Sequence, residues 1–176
     1  VAIGTTPQGG PAPKTAIAFR ATGPFELRDP ESGRQLSVGP ANELWLVRRA
    51  RGGRNFEILD PKQRRMLVFR KIISVRPLDP RAHSLIFQRL NVGSGTNWQV
   101  VNDRQLKGGV EIKARGKGLH LVNILPLEDY LYGVVNEEMP SHFPVAALRT
   151  QAIIARNHAL YAKEIIRPHR AYGYDI

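Results

Sequence analysis

Between Thr15 and Ile124 the chain never sustains one pattern for long. About ten short apolar-rich runs, many of them alternating, follow one another: TAIAFRA, PFELRD, RQLSV, ELWLVRR, NFEILD, MLVFRKIISV, SLIFQRL, NWQVV, GGVEIKAR and GLHLVNI. Turn signals such as DPESG, RGGR, DPKQ, GSG and RGKG separate them. Alternation with a period of two sends successive side chains to opposite faces, so each run reads as a half-buried strand and each separator as a tight connection. So many strands at such close spacing predict a meander of hairpins folded into a small sandwich or barrel of short antiparallel strands. No internal repeat of fixed length is evident.

The alternation ends at Ile124, and a helical period replaces it. The fold class is therefore α+β: a β-rich body followed by a two-helix element. Residues 1–14, rich in Gly, Pro and Thr, read as a flexible tail or linker. Residues 15–176 read as one incomplete domain, with 15–124 the β-rich part and 125–166 the helical part. Pro126 suits the first helical position, and Glu128 and Asp129 fall in a first turn, where negative charge is favourable, so both read as helix-start residues. Leu127, Leu131, Val134 and Val135 form one apolar stripe. A turn is expected over Asn136–Pro140, because Pro140 disfavours helix at Met139. A long helix is then expected from about Pro144 to about Ile165. Its stripe of Val145, Leu148, Ala152, Ala155 and Ala159 is rich in small residues and predicts a close, well-buried approach to a neighbour.

Charge narrows the function classes. Residues 1–100 hold 16 Lys and Arg against 7 Asp and Glu, whereas 101–176 hold 10 against 8. Trp45–Lys71 alone carries nine basic residues, Arg48, Arg49, Arg51, Arg54, Lys62, Arg64, Arg65, Arg70 and Lys71, against two acids. Such a field suits a polyanionic partner, or it is a well-solvated basic sheet surface. One RGG unit is a weak signal for nucleic acid, and a basic β-turn explains it better. Trp45 and Trp98 are candidates for stacking on a sugar or base, but strand tryptophans more often pack in a core. Cysteine is absent, which excludes disulfides and thiolate metal sites within these residues. No apolar run is long enough to read as a transmembrane helix. The first residue is Val1, which leaves open whether a secretory signal has been removed.

Motifs for zinc proteases, serine hydrolases and nucleotide binding are missing. What remains is the segment LPLEDYLYGVVNEEMPSHFPVAALRTQAIIARNHALYA. Arg149 and Arg156 lie two turns apart on one side of the long helix, either on an exposed flank or at a ligand-binding edge. Glu137 and Glu138 are adjacent carboxylates before Met139-Pro140. One of them caps the second helix, or one is held partly desolvated as a general acid.

The same segment resembles the signature of the stage II sporulation protein D / LytB (amidase-enhancer) family. LEDYL, EMP and the AQA/AAR-like elements come in that order, and GGVEIKARGKGLHLVNI resembles the strands that lead into them. The resemblance implies work on bacterial peptidoglycan. It points to a lytic transglycosylase cleaving glycan strands and favouring those without stem peptides, or else to a non-catalytic amidase enhancer or murein-binding module. It implies Glu138 as the catalytic acid, with Glu137 as an extra neighbour, and Arg149, Arg156 and Gln151 as substrate-binding positions. A single carboxyl suffices for that chemistry, because the sugar's own 6-hydroxyl is the nucleophile. A nearby arginine would lower a carboxyl pKa, however, so either Glu137 and burial outweigh the arginines or the arginines contact substrate.

Thr150, Ile153, Asn157 and His158 depart from the family's usual residues, and His158 puts a titratable group where an aromatic side chain usually packs. In the family a further region follows AYGYDI and in some members supplies metal ligands. The chain is thus expected to stop before the C-terminal part of the domain and to be inactive as it stands. No metal site or cofactor is expected within it, and a zinc site belongs, if anywhere, to that later part. Expected partners are peptidoglycan glycan strands and a cell-wall amidase, not nucleic acid. The expected location is extracytoplasmic, in the periplasm or cell wall.

Overall fold

A computed structural model describes residues 2–3, 14–51, 55–92, 100–116, 118–167 and 174–175. The described residues fall into two compact units that divide between Ile124 and Leu125.

The first unit is all β. Its strands are β1 (Ala2–Ile3), β2 (Ala16–Ala21), β3 (Phe25–Arg28), β4 (Gln35–Gly39), β5 (Trp45–Arg49), β6 (Phe56–Leu59), β7 (Arg65–Phe69), β8 (Ile72–Pro77), β9 (Leu85–Val92), β10 (Val100–Leu106), β11 (Gly109–Arg115) and β12 (Gly118–Ile124). They form two antiparallel six-stranded sheets, ordered β1-β12-β11-β8-β3-β4 and β10-β9-β2-β5-β6-β7. Neither sheet closes on itself, so of the two expected outcomes the barrel is not found.

The expected meander holds only locally, in pairs such as β5-β6-β7 and β11-β12. Between such pairs the chain crosses from one sheet to the other. The run MLVFRKIISV, which reads as one strand, is two: β7 ends at buried Phe69, the exposed pair Arg70-Lys71 carries the crossing, and β8 begins at Ile72 in the other sheet. Nothing marks the break in the apolar pattern, because Phe69 and Ile73 both face the core, though from different sheets. Ala2–Ile3, within the stretch read as a tail, pairs with Val122 and Leu121 of β12.

That core is aromatic at its centre. Phe19 of β2 stacks on Phe87 of β9 at 5.6 Å, while Phe25 of β3 meets Phe19 and Trp45 edge-on at 5.4 and 5.3 Å. Each such ring contributes about 1.5–3 kcal/mol by leaving water. Trp45 is thereby placed as a core residue, 2% exposed, and not as a stacking platform. Trp98 and the RGG tip at 52–54 lie outside the described residues.

The structure also exposes a repeat that is not evident by eye in the sequence. Phe25-Glu26-Leu27-Arg28-Asp29-Pro30 at β3 recurs as Phe56-Glu57-Ile58-Leu59-Asp60-Pro61 at β6. Both copies open a hairpin with a register shift at the same place, between Leu27 and Arg28 and between Ile58 and Leu59. Both turns are tied by the aspartate. Asp29 accepts the Glu31 amide at 3.0 Å and the Ser32 hydroxyl at 2.6 Å; Asp60 accepts the Arg64 amide at 2.8 Å and its guanidinium at 2.7 Å. Each glutamate is buried and paired with an arginine, Glu26 with Arg28 and Glu57 with Arg48. The nonidentical residues that follow hide the copy, since the first turn is one residue longer.

The second unit is helical: α1 (Leu127–Glu138), α2 (Val145–Tyr161) and a π-helical turn at Ala162–Ile166. Two expectations about it need correction. Helix α1 does not stop at Asn136 but carries Glu137 and Glu138 in its last turn, with Met139 as the first extended residue (φ −142°, ψ 126°). Pro140 restricts only the residue directly before it, so the bend falls at Met139 alone. Nor is α2 well buried along its stripe. Ala155 and Ala159 are buried and Leu148 and Ala152 half-buried, but Val145 is 61% exposed, and beside the stripe Ile153 and Ile154 are 54% and 56% exposed. The small residues permit close approach along a narrow seam and leave the larger apolar side chains outside it.

Candidate functional site

Helix α1 starts after Pro126, whose ψ of 150° makes it the residue just outside the helix and not the first one in it. Glu128 and Asp129 occupy the first turn, where the free N–H groups favour negative charge. At 3.6 residues per turn, Glu128, Leu131, Tyr132, Val135 and Asn136 share one side of α1. Ala152 and Arg156, one turn apart on α2, face them. These seven residues line a groove of about 340 Å³ between the two helices.

An ion pair lies among the lining residues of the groove. Arg156 donates from Nε and Nη2 to Glu128 Oε1 at 3.1 and 3.0 Å, and from Nη2 to Oε2 at 2.7 Å. This fork geometry couples the start of α1 to the middle of α2. The Arg156 hydrogen bonds, helped by its charge and opposed by partial burial, hold the Glu128 carboxyl below its usual range, and Glu128 in turn raises Arg156. The Asn136 amide donates to the Tyr132 carbonyl at 3.0 Å. Tyr132 is 74% exposed.

The residues singled out in the sequence are only partly brought together. Arg156 lines the groove, but its carboxylate partner is Glu128, first read as a helix-start residue. Glu138 sits exposed in the last turn of α1, which holds no basic residue, and no hydrogen bond or ion pair among the described residues joins it to Arg149 or Arg156. Glu137, Arg149 and His158 are exposed and Gln151 is half-buried; none of the four lines the groove.

A residue missed in the sequence is Tyr130. Burial raises its phenol pKa, and the charge of Glu138 raises it further, so the phenol stays protonated and lies within the electrostatic reach of that carboxylate. It lies three residues after Leu127 and four before Val134, at the edge of the apolar stripe, where periodicity marks packing and not chemistry. Among the described residues no group of three His, Cys, Asp or Glu side chains is arranged to hold a metal ion, and no helix is long and apolar enough to cross a membrane.

Comparison with known proteins bears on the same helices. Residues 115–176 match the family model described as stage II sporulation protein, from the end of β11 through α1 and α2. An uncharacterized protein of Brachyspira hyodysenteriae is 46% identical over 56 residues, which is 32% of this chain and 15% of that protein's length. The chain thus corresponds to a small part of that relative. No solved structure matches.

Proposed function

We propose, from the match of residues 115–176 to the stage II sporulation protein family, that the protein works on the cell wall as a peptidoglycan lytic transglycosylase. It acts outside the cytoplasm on glycan strands, with a preference for strands free of stem peptides. Glu138 is the acid that protonates the glycosidic oxygen and then takes the proton of the sugar's 6-hydroxyl, which closes an anhydro ring. Arg149 and Gln151 contact the strand from α2.

The observation that carries this reading is the match itself. It spans both helices and the Glu138-Met139-Pro140 step between them, which supports the choice of Glu138 as the acid. The geometry is compatible with it in one further respect. A guanidinium paired with Glu138 would hold the carboxyl ionised, the wrong state for an acid, but Arg156 spends its fork on Glu128.

A second reading, a murein-binding module or amidase enhancer without catalysis, is favoured by the exposed cations Lys62, Arg65, Arg70 and Lys71 around β7. The two separate cleanly. Peptide-free glycan strands incubated with the wild type and with Glu138→Ala are analysed by mass spectrometry. Anhydro-sugar products from the wild type alone are expected. Sedimentation with sacculi that weakens with salt, and no cleavage by either protein, would establish the second reading instead.

A further inference from the structure

The repeated hairpin supplies its own comparison. By register Gly39 corresponds to Phe69, Val38 to Val68 and Gln35 to Arg65, so β3-β4 and β6-β7 share their pairing, their bulge and an aspartate-tied turn. Each also ends its sheet, β4 in one and β7 in the other. Their charges nonetheless differ. Residues 29–41 hold one cation, Arg34, against Asp29 and Glu31, whereas 60–71 hold Lys62, Arg64, Arg65, Arg70 and Lys71 against Asp60 alone. Arg64 is tied to Asp60; the other four are exposed and make no ion pair among the described residues.

The fold does not require those cations. The first copy forms the same hairpin without them, and β4 needs protection against pairing with another chain as much as β7 does. The apolar side chains diverge in step with the charges. Leu36, at the bulged position, packs against the core, whereas Met66 at the same position is 42% exposed, as is Val68. Glu57 and Leu59 lie two apart and so share the outer face of the sheet, opposite the core residues Phe56 and Ile58. Their partners Val68 and Arg65 are on that same outer face. The edge of the second sheet thus sets apolar side chains between cations.

A soluble polyanion would satisfy the cations and leave Met66 and Val68 in water. An anionic bilayer satisfies both, since headgroup phosphates meet the cations and the headgroup–acyl boundary takes the apolar side chains. We propose that the outer edge of the β6-β7 hairpin docks on an anionic lipid surface, with Lys62, Arg65, Arg70 and Lys71 on the headgroup phosphates and Met66 and Val68 at the acyl boundary. Two small apolar side chains enter only shallowly, so the contact is reversible and sensitive to salt. It goes beyond the reading of α1 and α2 and does not depend on glycan cleavage.

The test is co-sedimentation of the full chain with vesicles of phosphatidylcholine alone and of phosphatidylcholine mixed with phosphatidylglycerol. Binding to the mixed vesicles only, weakening as salt rises, is expected. Arg70→Gln with Lys71→Gln should bind about 25-fold more weakly, about fivefold for each cation. Met66→Ser with Val68→Ser should weaken binding a few-fold and leave its salt dependence unchanged. Arg34→Gln, which removes a cation from the first copy, should bind as the wild type does. All the substituted side chains are exposed, and circular dichroism verifies that each variant is folded. Equal binding to neutral vesicles, or binding that survives loss of Arg70 and Lys71, would overturn the docking surface. So would full competition by soluble polyphosphate together with no effect of the Met66 and Val68 substitutions, which would assign the cations to a soluble polyanion.

Discussion

The two units bury apolar surface in opposite ways. In the β unit nineteen of the described side chains form one buried core, with Phe19, Phe25, Val47, Ile58, Ile73, Leu85 and Phe87 fully buried. In the helical unit the larger aliphatic side chains lie outside: Ile153, Ile154, Leu160, Ile165 and Ile166 are all more than 40% exposed, while alanines fill the seam. Stability should therefore reside in the sheets, and the residues that carry chemistry should sit in the part of the chain that opens most readily. The division suits a scaffold and a working element: a rigid body tolerates changes at its edges, and a loosely packed helix pair can adjust around a ligand.

Truncating the core gives the largest contrast. Phe87→Ala should cost about 3–5 kcal/mol in denaturant unfolding, whereas Ile154→Ala on α2 should change stability by no more than about 0.5 kcal/mol. Equal losses would mean that α2 is packed as tightly as the sheets. Amide hydrogen exchange sharpens the same contrast without mutation. Amides of β8 and β11, interior in their sheet, should exchange only through global unfolding, and those of α1 and α2 through smaller openings. Uniform protection along the chain would contradict it.

Acid should loosen the helical unit first. Glu128 has its carboxyl pKa depressed in the folded state, so the ion pair contributes fully above the ordinary value near 4.5 and is lost as pH falls through the lower folded value. Helical melting followed by circular dichroism should therefore show an acid-dependent drop that Glu128→Gln lacks. The smallest expected effect is spectroscopic. Tyr130 should ionise above the usual tyrosine range, and Glu138→Gln should move that titration down by removing the charge that opposes it. An ultraviolet titration unchanged by the substitution would mean that the two groups do not interact.

Much of this division was legible from periodicity. The strands Ala16–Ala21, Trp45–Arg49 and Gly109–Arg115 fall inside alternating runs, and the change of period at Ile124 marks the boundary between the units. Which strands share a sheet was not legible. β7 and β8 are consecutive in sequence, yet they belong to different sheets, because alternation reports which face is buried and is silent on the partner. The site shows the same limit. Spacing put Arg149 and Arg156 on one side of α2, but the partner of Arg156 lies twenty-eight residues away on another helix, a tertiary fact. The repeat at Phe25 and Phe56 is hidden for a third reason: it is only six residues long, with four identical, and the turns that follow differ in length and sequence.

Under the proposed function two carboxylates on α1 divide the labour: Glu128 holds Arg156, and Glu138 would transfer the proton. Comparing Glu128→Gln with Glu138→Gln on peptide-free glycan strands, at saturating and at limiting substrate, tests it most directly. Glu138→Gln is expected to lose product by about 10²-fold or more at either concentration, and Glu128→Gln to lose it mainly at limiting substrate. Product lost from Glu128→Gln and retained by Glu138→Gln would contradict it.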